Sequence, residues 1–338
     1  MNAEKLTAPT PPVGVIESLT IGFETVAGRL VLILLPLLLD MFLWVGPRLS
    51  LRPAIASYYQ DFWQPAVTSL DEAAQERLAG VSEMLLEAAE EMPALYLPLL
   101  GVPSLMAGRE AAPLPFHYTP PVWEVRHPWG LVGVNVASLV VGLLLGALYI
   151  ALIANQVQLG RIDLGQVLSR LPVNVAWIAI FGLTVPILLV VIYLPFVALA
   201  AGLSLISSLL AVLADWAGRL LVLWIALFLV FTVHGLFMNN RSLPGALWDS
   251  IRVVQWNITS TLFLILLSVV LNLALTYVWN MAPAGSWLAV LAIVGNSFIA
   301  TGLITASFVF FKDRYRYWHE MRAELIAELE RRRAQQGQ

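Results

Sequence analysis

Asp40 and Arg219 are the two residues of this 338-residue chain with the clearest chemical potential, because each interrupts a long apolar run. An ionisable side chain at membrane depth is costly and needs either a partner or a water-filled cavity. Asp40 falls six residues before the end of the run 22–46 that is predicted to face outward, and Arg219 three residues inside the outward end of the run 216–238. At the rise of an α-helix those depths are roughly 9 and 5 Å, close enough for a salt bridge wherever the two helices adjoin. Asp215 competes for the arginine from one helical turn away. Asn135, near the outer surface, and the deeper Asn272 and Asn296, at roughly 13 and 15 Å, complete a predicted polar cluster in the outer half. Such a cluster does one of two things. It ties helices together through hydrogen bonds of about 0.6–2 kcal/mol each, or it lines a pocket that opens outward beneath whatever covers it.

Catalytic chemistry finds little material. The chain has no cysteine, so thiolate metal sites, disulfides and a cysteine nucleophile are excluded. Its four histidines, His117, His127, His234 and His319, never form a His-x-x-x-His pair. Ser204, Ser207 and Ser208 have no histidine predicted at their depth, and Asp40 has no second carboxylate on another span unless Asp215 approaches it. The spacing of His117, Glu124 and His127 is too irregular to fix three donors around one ion. We therefore assign no catalytic, cofactor-binding or metal-binding residue. A net charge of -3 removes the basic footprint that a nucleic-acid partner would need.

The elements that must position these residues are membrane helices. Hydrophobic residues make up 59% of the chain and charged ones 12%, against about 25% charged in ordinary soluble domains. Mean hydropathy is +0.80. A crossing needs about 20 apolar residues. The runs 22–46, 131–154, 173–194, 216–238, 259–281 and 286–311 qualify, and predict an all-α, polytopic bundle of about six crossings. The apolar stretch 195–214 is either an extension of its neighbouring helices or a segment dipping back into the membrane. Arginines decide between two and three crossings there. Arg161 and Arg170 lie in the loop 155–172, Arg241 and Arg252 in 239–258, and Lys312, Arg314 and Arg316 directly after the last span. The positive-inside rule puts all three regions in the cytoplasm, so an even number of crossings lies between 173 and 238. Both termini then face the cytoplasm of a bacterial-type cytoplasmic membrane, and the run beginning at Leu30 reads as a retained first span.

Residues 48–130 become one large extracytoplasmic insert, with ten acidic and five basic side chains. Ser69-Leu70-Asp71-Glu72 has the form of a helix capping box. Behind it, Leu78, Val81, Leu85 and Ala88/Ala89 recur at helical spacing, with Glu76, Glu83, Glu87, Glu90 and Glu91 mostly opposite. This predicts an amphipathic helix of about 20 residues ending at Pro93. An earlier helix starts near Pro53 and presents Tyr58, Tyr59, Phe62 and Trp63. Proline at high density (Pro93, Pro98, Pro103, Pro113, Pro115, Pro120, Pro121, Pro128) predicts an extended path for the remainder, with Leu95, Tyr96, Leu97, Leu99 and Leu100 pressed onto an apolar surface. Trp123 and Trp129 read as interfacial anchors where the chain returns to the bilayer.

Two stretches, 17–45 and 249–277, align without a gap, with Asp40 opposite Asn272. Each reads as a short interfacial helix turning into a crossing, and 162–171 as a shorter version of that preamble. In the cytoplasmic tail 312–338, Trp318, Met321, Leu325 and Leu329 mark one stripe of a helix that ends near Arg331-Arg332-Arg333. The sequence thus points to a membrane scaffold or accessory subunit, embedded in the lipid bilayer, with a protein partner at the 48–130 insert or the C-terminal helix. The alternative is a transporter or channel using the outward polar pocket.

Overall fold

The structure is a computed structural model, and it describes residues 11–336 apart from 69–70, 90–91, 94–100, 108, 110–113 and 284. The chain is dominated by helices. Among the described residues, five helices are long and apolar enough to cross a membrane, and a bent pair at the start makes a sixth candidate.

That pair corrects the first predicted span. Instead of one rod over 22–46, α1 (Val15–Ala27) stops at Gly28-Arg29, and a 3-10 turn (Leu30–Ile33) leads into α2 (Leu34–Val45), bent by 91° from α1. Arg29, at φ -144°, lies outside the helical region. The six apolar residues after it hid the break from a hydropathy reading. A second helix–break–helix follows the same plan: α10 (Leu243–Trp256) ends at Asn257, φ -135°, before α11 (Ile258–Asn280). The region 162–171, by contrast, has no separate preamble helix. Asp163 caps α7 (Leu164–Ser204) by accepting from the Gln166 N–H at 3.1 Å, and the helix continues unbroken for 41 residues.

The stretch 195–214 belongs to two helices. Its first half is the end of α7, its second half the start of α8 (Ser208–Leu229), and the chain turns between them at 205–207. Pro172, Pro186 and Pro195 all lie within α7. The last predicted span and the tail are likewise one helix, α12 (Leu288–Gln336).

The chain divides into two compact units. One comprises residues 29–149 and 270–301, and holds α2, the insert, most of α6 (Pro128–Leu159), the end of α11 and the start of α12. Within the insert, α3 (Arg52–Tyr58) begins at the expected Pro53 and passes through one π-helical turn, Tyr59–Trp63, into the short α4 (Gln64–Val67). Helix α5 (Glu72–Ala88) takes the place of the predicted amphipathic helix, and Asp71 accepts from the Ala74 N–H at 2.8 Å at its start. Ser69 of the expected capping box, the Phe62 and Leu85 side chains, Glu90, Glu91 and the leucine-rich stretch 94–100 lie outside the described residues.

A three-stranded sheet in this unit was not anticipated. Strand β1 (Arg48–Ser50) is central, antiparallel to β2 (Met92–Pro93) and parallel to β3 (Val122–Glu124). Proline density argued only against long strands, and Pro93 sits on an edge strand, where a missing N–H breaks no ladder. Beside the sheet Leu49, Leu51 and Ala89 are buried, and Ala289, Ala292 and Ile293 of α12 pack with Trp44, Leu105 and Met106. Tyr149 of α6 is fully buried and donates to Thr301 Oγ1 at 2.8 Å.

The second unit comprises Met1–Gly28, Ile150–Val269 and Gly302–Gln338. Here α1 lies tightly on α12, because a Cβ added at Gly22 would come within 2.6 Å of the Ala306 backbone. Between α8 and α9 (Thr232–Asn239) the helix breaks, and Ser250 of α10 repairs the gap. Its hydroxyl donates to the Phe228 carbonyl (2.6 Å) and accepts from the Phe231 N–H (3.0 Å). Lys312 Nζ donates to the Val157 carbonyl at 2.7 Å, covering the C-terminal end of α6.

Candidate functional site

Asp40 has no solvent-exposed surface. Its carboxylate is enclosed by donors from the insert: the Ser104 hydroxyl, the Leu105 N–H at 2.9 Å to Oδ2 and 3.1 Å to Oδ1, and the Met106 N–H at 3.2 Å. Three successive residues of a loop thus converge on one acid. A carboxylate offers about four lone-pair positions, so this donor set saturates it without a counterion in direct contact. Ser104 also accepts from the Ala107 N–H at 3.0 Å, which closes the loop upon itself.

Arg109 fastens the same loop a second time. Its guanidinium donates to Asn280 Oδ1 (2.8 and 3.0 Å), to the Trp279 carbonyl (2.9 Å) and to the Ala282 carbonyl (3.2 Å). Those acceptors are at the C-terminal end of α11 and the turn after it, where carbonyls lack intrahelical partners. Burial lowers the guanidinium pKa, and the nearby Asp40 charge opposes that shift. Arg109 and Ser104 were not singled out in the sequence. An arginine in a proline-rich loop carries no local sign of what it will grip, since backbone carbonyls have no residue code.

The other members of the predicted cluster find different surroundings. Asn135 donates to the Leu131 carbonyl of its own helix at 2.7 Å. Asn272 is exposed on α11, whereas Asn296 is buried on α12. Arg219 pairs with the competing Asp215, Nε to Oδ2 2.8 Å, and the Tyr193 hydroxyl of α7 donates to the other oxygen of that aspartate. The Arg219 side chain remains 57% exposed. Asp40 and Arg219 are therefore each satisfied by another partner. Close packing beside this trio comes from Gly218, where an added Cβ would lie 2.6 Å from Phe196 Cβ.

One serine–histidine contact does occur. His234 Nε2 is 2.8 Å from Ser307 Oγ, inside a cage of Phe231, Phe308 and Phe311. The Ser307 hydroxyl spends its proton on the Ile304 carbonyl (2.7 Å), so Nε2 must be the donor to Oγ. His234 Nδ1 is buried with no partner among the described residues. A general base needs its acceptor nitrogen on the nucleophile and a third group orienting the other, and this arrangement provides the reverse. It works as a packed polar contact.

Farther along, Arg241 pairs with Asp249 of α10 at 3.5 Å and donates to the Tyr315 hydroxyl at 3.3 Å. Burial pushes the Asp249 carboxyl above the usual carboxylate range, while the Arg241 charge pulls it back. Arg252 lies between the rings of Trp248 (4.7 Å) and Trp318 (4.8 Å). Among the described residues no three histidine, aspartate or glutamate side chains gather in a way that could hold a metal. No family model matches the chain, and neither a curated protein nor a solved structure resembles it.

Proposed function

We propose that this integral membrane protein is a scaffold or accessory subunit of a membrane assembly, and that the α7–α8 hairpin is where it holds a protein partner. The observation that carries this reading is the length of the hairpin. From Leu164 to Tyr193, α7 measures about 45 Å at 1.5 Å per residue, as much as a bilayer with its headgroups. A further eleven residues follow before the turn, and they are apolar. Leu199, Leu205, Ile206, Leu209, Val212 and Leu213 are all exposed, Leu205 at 89% and Ile206 at 78%. If the Tyr193–Asp215–Arg219 trio sits among the headgroups, lipid tails reach no farther along the hairpin. Apolar surface left uncovered beyond the lipid supports a protein contact there.

The saturation of Asp40 supports the same reading over an outward-facing transport pocket, because its lone pairs are spent on fixing the insert. The acidic insert, held in place at both Asp40 and Arg109, is a second platform on which a basic partner surface would fit.

The absence of cysteine permits a direct test. Single replacements Leu205→Cys, Leu209→Cys and Val212→Cys, carrying a photoactivatable crosslinker in native membranes, should each yield the same protein adduct at a discrete mass. Crosslinking of all three positions to lipid alone would overturn the proposal. So would purified chain that by itself renders lipid vesicles permeable to small osmolytes.

A further inference from the structure

A shallow cleft, open to solvent and enclosing only about 20 Å³, lies in the second unit where α6 meets α7 and the end of α9. Its floor is apolar, made by Ala151, Val167 and Phe237, and its walls are Asn155, Gln158, Gln166, Arg170, Asn174 and Asn240. The spacing explains the wall. Gln166, Arg170 and Asn174 follow one another at four-residue steps along a single face of α7. At the far side Asn240 ends α9 in the left-handed conformation, φ 50°, which asparagine tolerates better than most residues.

The polar groups of this wall are unevenly spent. Asn155 Oδ1 accepts from the Asp163 N–H (2.7 Å), and its amide nitrogen reaches Gln166 Oε1 at 3.4 Å. Gln158 Nε2 donates to the Met238 carbonyl at 2.8 Å. What remains is rich in donors: the amide nitrogen of Gln166, the amides of Asn174 and Asn240, and the Arg170 guanidinium. Asn174 is only 8% exposed yet has no hydrogen-bond partner among the described residues, and Arg170 has no carboxylate partner there. No acidic residue lines the cleft. These donors face the open cleft, where a bound acceptor could take them up in place of water.

We propose that this cleft binds an oxyanion of the phosphate class, with Arg170 clamping two of its oxygens and Asn174, Asn240 and Gln166 donating to the rest. Guanidinium and phosphate match as a bidentate pair, and amide N–H groups supply directional donors without adding charge. Two sources present the same chemistry. One is the phosphodiester of a membrane lipid; the other is free inorganic phosphate. Placement favours the lipid. The cleft is formed by the last turns of α6 and the first turns of α7, two spanning helices joined by a four-residue turn, so it lies at the level where headgroups begin.

The test has two arms on the full-length protein, parent and Arg170→Gln. Arg170 is exposed, so its replacement leaves the fold intact, to be checked by circular dichroism. In the first arm, native mass spectrometry follows release from vesicles of phosphatidylglycerol containing diacylglycerol of the same chains, which lacks the phosphate. In the second, delipidated protein is titrated with inorganic phosphate and its melting temperature recorded. Retention of phosphatidylglycerol over diacylglycerol, falling at least tenfold in Arg170→Gln, supports the lipid source. A saturable phosphate-dependent rise in melting temperature that Arg170→Gln abolishes supports the free anion. Asn174→Asp, which sets a carboxylate against the ligand, should weaken binding in whichever arm is positive. Equal retention of the two lipids with no melting shift overturns the proposal, as does binding that both variants leave unchanged.

Discussion

Asp40 and Arg219 began as a matched pair and ended as opposites. Asp40 is wholly buried and receives a hydroxyl and two backbone N–H groups from residues 104–106. Arg219 is more than half exposed and relies on an aspartate one turn away in its own helix. Removing water from an ionised group creates a demand that only well-placed donors can meet. The buried charge has therefore recruited a loop and given it one conformation, while the exposed one leaves its helix surface free for lipid or for another protein. Polar residues in membrane helices teach different lessons according to where their partners come from. A partner distant in sequence organises tertiary structure, and a partner in the same helix merely makes the local charge tolerable.

The sharpest way to break this contrast is Asp40→Ala. It leaves the Ser104 hydroxyl and the Leu105 and Met106 N–H groups facing a void, and should cost about 3–5 kcal/mol. We expect a large fall in membrane abundance and melting temperature, together with new protease cleavage between residues 101 and 109. Unaltered protection of that loop would show that the carboxylate does not hold it. Next in size is Gly22→Leu, which forces a side chain onto the Ala306 backbone. Overpacking of this kind costs about 1–3 kcal/mol and should lower the melting temperature while leaving the 101–109 loop protected. Arg109→Ala comes third, at about 1–2 kcal/mol, because the acceptors it leaves unpaired at 279–282 can recruit water. Its signature is faster hydrogen exchange in that turn, with Asp40 and its three donors undisturbed.

The difference in legibility follows the same line. Long apolar runs announce α6, α7, α8, α11 and the first half of α12, because lipid imposes one rule, internal hydrogen bonding, on every crossing segment. The Arg219–Asp215 pair was legible too, being local and periodic. Asp40 was visible as a charge in need, but its donors were not, because two of the three are backbone amides of a loop 65 residues away. The turn from an interfacial helix into a crossing was legible within 17–45, but its place at Gly28-Arg29 was not, because the apolar run continues across it and hydropathy carries no direction. The three-stranded sheet rests on eight residues brought together from three parts of the chain, too short for any alternation to register. The amide-lined cleft escaped notice because asparagine and glutamine near helix ends ordinarily face solvent, and only the meeting of α6, α7 and α9 converts them into a wall.

Arg219→Ala gives the smallest expected effect and bears most directly on the α7–α8 hairpin. If the trio of Tyr193, Asp215 and Arg219 lies among headgroups, water and lipid phosphates surround it, and an exposed ion pair contributes little. The variant should then melt within error of the parent, and Asp215→Asn should do the same. A trio inside the hydrocarbon behaves otherwise. Removing the arginine would there leave Asp215 ionised against lipid, which no headgroup could relieve, and abundance would fall toward that of Asp40→Ala. The two outcomes also fix where the hairpin tip lies. A neutral result leaves the apolar segment 195–214 beyond the lipid, with protein as its natural cover. A severe one draws that segment into the bilayer, and the case for a partner at the tip goes with it.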